Sequence, residues 1–298
     1  MMQYLPPRRI AAIHDLSSVG RCALTVVMPT LSVMGYQVIP IPTALLSTHT
    51  GGFSGMHFRD LTEDMHAMTE HFSRLDMRFG AIYTGFLGSE AQISSVKEIL
   101  ERFSKLPDET GKSPLVLIDP VMGDDGVLYS TYTEALVKGI RALSAHAEIL
   151  TPNLTEACLL TDTPYRNTAE MSERDVKAFA DLLLEKLRCE VSLHAEIVIT
   201  GVEWKEGEVA CFGEALDGRR FCVSQAHEGR AYPGTGDIFA SVLLGERMRE
   251  RSFEDSCRRA ADFVATLIRH SSKIATPERM GVALEPDLYL LAERQERE

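Results

Sequence analysis

Several signatures that would settle a protein's class are missing from this sequence. The six cysteines, at 22, 158, 189, 211, 222 and 257, lie scattered without a C-x-x-C pair. That argues against a disulfide framework or a zinc site and fits a reducing compartment, with most of the thiols expected as small core residues. The opening MMQYLPPRR has no apolar stretch of the kind that leads secretion. No run approaches the roughly 18 apolar residues of a membrane span, so a cytoplasmic protein is expected. Positive charge is scarce: 31 Lys plus Arg stand against 43 Asp plus Glu, a formal charge of −12. Without a basic run or an RGG-like segment, nucleic acid and anionic membranes are poor partners. A chain this acidic that handles phosphates needs local donors or metal ions to offset its own field. G-x-x-x-x-G-K-[ST] occurs nowhere, which excludes a P-loop, and neither G-x-S-x-G nor H-E-x-x-H is found.

What remains is ordinary in composition, with 298 residues, 45% of them hydrophobic and 25% charged. A prior of about 150 residues per domain suggests two domains, but α/β folds often use this length as one. No internal repeat, low-complexity segment or linker divides the chain, so one domain over 1–298 is expected. Short Ile- and Val-rich runs at 8–15, 37–46, 80–88, 114–120, 147–153 and 195–201 read as strands. Segments 22–35, 58–75, 89–106, 133–145 and 169–187 between them carry helical period. The near-continuous apolarity of the strands implies burial on both faces, and the alternation implies a doubly wound, parallel α/β sheet. After residue 201 the order changes: 207–214 and 220–227 predict a hairpin turning near Gly218, followed by helices near 235–250, 253–271 and 285–296.

Polar residues end nearly every predicted strand: His14 and Asp15, Thr48 to Thr50, Thr84, Asp119, Thr151 and Asn153, and Thr200. Open parallel sheets bind ligands at that edge. The stretch AYPGTGDIFASVLLGERM, 231–248, belongs with it. Gly234 and Gly236 lack Cβ and let an oxygen approach their N–H groups, and the helix behind them aims its free N–H groups at that oxygen. A dinucleotide fingerprint is excluded, because Phe239 stands where its third glycine belongs. Asp237 is the oddity. An aspartate in a first turn often only complements the helix dipole. Yet an anion-binding helix end should not carry its own carboxylate, unless Asp237 faces a hydroxyl that attacks a phosphoryl group held by the glycine turn. The helix end is expected to depress its pKa.

Other residues leave alternatives open. Asp119-Pro120 with Gly123-Asp124-Asp125-Gly126 reads either as a water-mediated Mg²⁺ site with a mobile cover or as a solvated turn. Asn153, opening NLTEACLL with Glu156, reads as a site residue or, more simply, as an N-cap. His49 is a pocket residue or a satisfied loop histidine. His66 and His71, at i, i+5, are poorly spaced for metal and expected on the surface, and Met56, Met65, Met68 and Met77 are expected to serve packing.

IDPVMGDDG (118–126), TPNLTEACLL (151–160), VITG (198–201) and PGTGD (233–237), in that order, resemble the ribokinase-like superfamily. Within it the chain is most similar to the pyridoxal and pyridoxamine kinases of vitamin B6 salvage. STHTGGFSG (47–55) resembles that family's segment around the vitamer ring, and YTGFLGS (83–89) its next pocket strand; the similarity spans roughly 8–270. The resemblance implies a three-layer α/β/α fold with a mostly parallel central sheet, and ATP-dependent phosphorylation of a hydroxymethyl group. It makes Asp237 the base and Gly234, Thr235 and Gly236 the anion hole. Asp119, Asp124, Asn153 and Glu156 fall on the nucleotide side, with Asp119 and Glu156 toward Mg²⁺, Thr200 and Gly201 near the adenosine, and Tyr129 in a lid over ATP. Asp15, His49, Thr50 and Phe86 fall around the vitamer. Relatives commonly form homodimers, and K⁺ is a further cofactor the resemblance leaves open.

Two departures bear on the substrate. Many relatives carry serine where Asp15 stands, and a carboxylate there favours an amine-bearing vitamer such as pyridoxamine. Phe86 replaces a common tyrosine and removes a polar handle. The nearest rival is the hydroxymethylpyrimidine kinase of thiamine synthesis, which usually has cysteine where this chain has Asp237. Sugar-kinase patterns are not evident near the N-terminus, and a vitamer-binding regulator without turnover has no need of Asp237.

Overall fold

The first strand shows how the frame is built. The computed structural model describes residues 7–292. In β1 (Arg9–Val19), Ile10 and Ala12 face one layer and Ala11 and Ile13 the other, all fully buried. The same alternation runs through β4 (Ala81–Thr84), β5 (Leu115–Ile118) and β9 (Glu196–Lys205), where Val116, Ile118, Ile197 and Ile199 join one core and Leu117 and Val198 the other. Strands apolar on both faces need helices on both. One face is covered by α2 (Thr62–Arg74), α3 (Glu90–Phe103), α4 (Glu134–Ser144), α5 (Leu154–Leu160) and α6 (Glu173–Lys186). The other is covered by α1 (Leu24–Val33), α7 (Thr235–Met248) and α8 (Phe253–Lys273). The result is the expected three-layer α/β/α sandwich.

The sheet has nine strands in the order β11 (Arg220–Ala226), β10 (Glu208–Glu214), β9, β8 (Ile149–Leu150), β5, β4, β1, β2 (Gln37–Thr48) and β3 (Phe58–Asp60). From β9 to β2 all pairs are parallel; β10, β11 and β3 are antiparallel additions at the edges. The chain leaves β1 toward β2 on one side and later pairs β4 on the other, so the strand order reverses there. A crevice at the carboxyl ends follows from that reversal.

Two prolines lie inside β2, which the pairing explains. The Gln37 N–H donates to the Arg8 carbonyl, and the two-residue period turns the nitrogens of Pro40 and Pro42 away from β1. β3 pairs only Ala44 to Leu46, so those nitrogens face an edge that needs no donor. Elsewhere the boundaries moved. Residues 58–60 of the expected helix 58–75 form β3, and α6 starts at Glu173 after a separate turn of 3₁₀ helix at Thr168–Glu170. Segment 123–128 forms a small hairpin, β6 (Gly123–Asp124) and β7 (Val127–Leu128), rather than an unpaired turn. The last expected helix, 285–296, is a 3₁₀ helix at Glu285–Leu291, and its end beyond 292 lies outside the described residues, as does most of MMQYLPPRR. Cys22, Cys158, Cys211 and Cys257 are buried as expected, whereas Cys189 is exposed. His66 and His71 lie on the surface.

A fully buried charge lies outside the crevice. Glu246 of α7, 0% exposed, meets Arg249 at 2.9 Å, Arg251 at 2.5 Å and Arg259 at 3.0 Å, tying α7 to the start of α8. Removing one partner from a buried ion cluster leaves the others uncompensated. Glu246→Ala should therefore cost about 3 kcal/mol, the low end for such losses because two of the arginines are partly solvated. Urea unfolding of the two proteins measures it, and a loss under about 1 kcal/mol would refute the account.

Candidate functional site

At the carboxyl edge of the parallel strands lies a pocket of about 570 Å³. It is lined by Asp15, His49, Thr50 and Phe86 on one side and by Asp119, Asp124, Tyr129, Asn153, Glu156 and Thr200 on the other, with Gly234, Thr235, Gly236 and Asp237 between. Of the residues the resemblance assigned to the site, all line it except Gly201, which sits exposed at φ +69° in β9; of the strand-end polar residues, His14, Thr48 and Thr84 do not line it. No Lys or Arg lines the pocket among the described residues.

The glycine turn is built as its composition suggests. Gly234 has φ +81°, and a Cβ there would come within 2.0 Å of the Arg21 carbonyl oxygen, so the position excludes other residues. A Cβ on Gly236 would meet nothing within 4 Å, and Gly236 itself lines the pocket. Thr235 begins α7 and its hydroxyl donates to the Tyr232 carbonyl.

Asp237 is held from several directions. Its Oδ2 accepts from the Ala23 N–H at 2.8 Å, its carbonyl accepts from Ser241 Oγ at 2.6 Å, and its Oδ1 lies 3.8 Å from His14 Nδ1. Ala23, the N-cap of α1, takes φ 49° and ψ −136° to aim that N–H, an unfavourable backbone state for a residue with a Cβ. Two helix N-termini, of α1 and α7, thus meet at one carboxylate. The expected depression of its pKa is nevertheless overturned. Burial pushes Asp237 up to about 7, and the Asp15 charge adds to the rise, while the Ala23 hydrogen bond opposes it. Loss of hydration outweighs the Ala23 hydrogen bond, the side chain being only 16% exposed.

Asp15 does not end its strand. β1 continues to Val19 through a register shift between His14 and Leu16, which re-aims the residue between them. Asp15 is 7% exposed, accepts from the Ser17 hydroxyl at 2.7 Å, and is raised in pKa mainly by burial. His49 lines the same side, but both ring nitrogens are used. Nδ1 accepts from the Gly51 N–H, so Nε2 carries the hydrogen and donates to the Arg279 carbonyl at 2.7 Å. It therefore presents a ring rather than a free donor. Met56, expected only to pack, also lines the pocket.

On the other side, Asp119 and Glu156 are 8% and 3% exposed. Burial pushes both well above the carboxylate range, with Asp237 adding to the rise at Asp119 and Asp119 to that at Glu156. Asn153 is an N-cap after all: its side chain accepts from the Glu156 N–H, and Glu156 returns a bond to the Asn153 N–H. The other Glu156 oxygen accepts from the Met122 N–H, and Asn153 Nδ2 donates to the Gly123 carbonyl at 2.8 Å. The hairpin of Asp124, followed by Tyr129, is thereby fastened to the start of α5. Asp119 and Glu156 supply two hard oxygen donors suited to Mg²⁺. No cluster of three or more His, Cys, Asp or Glu that could hold a metal by itself occurs among the described residues.

Sequence reasoning missed the Ala23 N–H, which no side chain announces, and the pocket walls from Ser17, Phe53 and Tyr232. Among the described residues, no helix is long and apolar enough to cross a membrane.

The sequence profile of the phosphomethylpyrimidine kinase family matches residues 27–280. The pyridoxine/pyridoxal/pyridoxamine kinase of Bordetella avium is 29% identical over 290 residues, covering 91% of this chain and 89% of that protein. A candidate phosphomethylpyrimidine kinase of Bacteroides thetaiotaomicron, solved with pyridoxal, superposes with a TM-score of 0.85 at 36% identity over 96% of each chain. The pyridoxal kinase of Lactobacillus plantarum gives 0.84 at 29% identity, covering 95% of this chain and 96% of that one. With nearly its whole sandwich accounted for by these matches, the chain belongs to the phosphomethylpyrimidine kinase family and, within the ribokinase-like superfamily, to the pyridoxal kinases.

Proposed function

We propose that this protein transfers the γ-phosphoryl group of ATP to the hydroxymethyl group of a B6 vitamer, as one kinase domain, cytoplasmic and homodimeric. The observation that carries the reading is Asp237, a carboxylate only 16% exposed and at about pKa 7, beside the Gly234–Gly236 turn in the same pocket. A base near neutrality and a phosphoryl-binding helix end side by side are what hydroxyl phosphorylation needs. The relatives named for pyridoxal and pyridoxine phosphorylation, and the pyridoxal held by the Bacteroides protein, support the vitamer. On this reading Asp15, Thr50 and the His49 and Phe86 rings surround the vitamer. Asp119, Asp124, Asn153, Glu156, Thr200 and Gly201 attend the nucleotide, with Tyr129 above it.

Asp119 and Glu156 would hold Mg²⁺, through water where their oxygens are already bonded, and the ion would neutralise triphosphate charge that no pocket Lys or Arg meets. K⁺ is a further candidate. The protein's own part is to bind the phosphates on the N–H groups of α7, exclude water, and take the hydroxyl proton on Asp237 late in a loose transition state. The family description keeps hydroxymethylpyrimidine as a second substrate candidate.

ADP release measured with pyridoxal, pyridoxamine, pyridoxine and hydroxymethylpyrimidine tests the assignment. A vitamer should be the best acceptor, and excess chelator should abolish turnover; a clear preference for the pyrimidine would replace the reading. Asp237→Asn should fold and lose roughly 100- to 10,000-fold in kcat. Because Asp237 acts only when ionised, wild-type kcat/KM should rise about tenfold per pH unit below about 7 and level off above it. An acid limb near pH 4, or near-wild-type turnover in the Asn variant, would remove Asp237 from the role.

Asp15 should bias the enzyme toward amine vitamers. A charge-assisted bond to a bound ammonium contributes about 1.5–3 kcal/mol, roughly 10- to 150-fold. The ratio of kcat/KM for pyridoxamine over pyridoxal should fall by that factor in Asp15→Ser, and an unchanged ratio would show that Asp15 does not select.

A further inference from the structure

One polar side chain at the site has no role in the account so far. His14, on β1 just before the register shift, is fully buried, and neither ring nitrogen has a hydrogen-bond partner among the described residues. Burying an imidazole with both nitrogens unmet is costly, and such groups are rare in folded proteins. Its surroundings hold it in place. The ring stands edge-on to Tyr83 with centroids 4.2 Å apart. A Cβ on Gly85 would approach Nδ1 to 2.2 Å, so glycine at 85 is what leaves room for the ring. The polar group facing Nδ1 is the Asp237 carboxylate, with Oδ1 3.8 Å away, just beyond hydrogen-bond reach.

We propose that His14 positions Asp237: as a neutral imidazole with its hydrogen on Nδ1, it closes on Oδ1 when the pocket fills. Burial keeps the ring neutral at working pH, with its pKa lowered to about 3. A neutral ring has one N–H, and a carboxylate that only accepts favours the tautomer carrying it on Nδ1. Ala23 then holds Oδ2 and His14 holds Oδ1, which fixes the plane of the carboxylate and leaves a lone pair on each oxygen for the substrate hydroxyl. Catalytic hydrogen bonds that are long in an empty site commonly tighten in the filled one. The inference rests on Asp237 being the base.

The test is a double-mutant cycle read in kcat and KM. His14→Phe should lower kcat about 10- to 100-fold, the usual loss from a misaligned reacting group, with KM changed less than about threefold. His14→Asn, whose Nδ2 can donate from a similar place, should recover most of that loss. In an Asp237→Asn background, His14→Phe should change kcat less than about twofold. Equal losses in both backgrounds, or equal losses for Phe and Asn, would overturn the positioning role and leave the Asp237 assignment standing. Full turnover in Asp237→Asn alone would instead remove the base assignment. Should His14→Phe not fold, ¹⁵N NMR of the wild-type ring with pyridoxal and a non-hydrolysable ATP analogue decides. A proton on Nδ1 supports the inference, and a proton on Nε2 overturns it.

Discussion

The site is governed by one electrostatic constraint: five carboxylates, of Asp15, Asp119, Asp124, Glu156 and Asp237, share a pocket that no lysine or arginine enters among the described residues. Asp15, Asp119, Glu156 and Asp237 are each raised in pKa by burial before any neighbour acts on them. The net charge of −12 adds no positive background to offset this. Such an arrangement is unfavourable when empty and becomes favourable with the right contents. Divalent ions suit the Asp119–Glu156 end, a cationic ring substituent suits Asp15, and phosphate oxygens suit the N–H groups at the start of α7. The pocket is therefore selective through the charge it lacks.

The fold makes this constraint affordable by bringing each group from a different rigid element. β1 supplies His14 and Asp15, β5 leads into Asp119, the capping box of α5 holds Glu156, and α7 carries Asp237 in its first turn. They converge because strand order reverses at β1, so the carboxyl ends of β1 and β4 open one crevice between two helical layers. Asp237 shows the balance of forces there. Two helix N-termini and the Ala23 N–H favour its charge, yet loss of hydration wins and leaves it near neutrality.

Much of this was legible in the sequence for a physical reason. Strands buried on both faces must be continuously apolar, so runs such as IAAI and IVIT gave themselves away, and the helices between them carried their own period. β8, two residues long, still lay inside a predicted run, but β3 and the β6–β7 hairpin have neither length nor pattern. Asp237 stood out because a carboxylate at an anion-binding turn contradicts local electrostatics. Its pKa did not, because burial depends on what the rest of the chain piles over it. The Ala23 N–H was invisible for a different reason: any residue could supply it, and only the odd φ of 49° reveals that the backbone is being aimed. Asn153 was readable both as a cap and as a pocket residue, and the alternatives were never exclusive.

That last case shows how the nucleotide side is stiffened. Asn153 and Glu156 satisfy each other's N–H groups at the start of α5, and their remaining polar atoms hold the Gly123 carbonyl and the Met122 N–H. Thr155 adds a bond from the Gly126 N–H at 2.8 Å. The turn of helix that presents Glu156 to the pocket is thus the same turn that fastens the start and the tip of the β6–β7 hairpin, which leads into Tyr129. A substitution at Asn153 or Glu156 loosens the cap, the carboxylate and the hairpin together, so lost activity there cannot be assigned to ligand contact alone. Asp119 is the cleaner probe of that side: the neighbour its side chain meets is the Thr151 hydroxyl, whereas Glu156 accepts from backbone N–H groups of two segments.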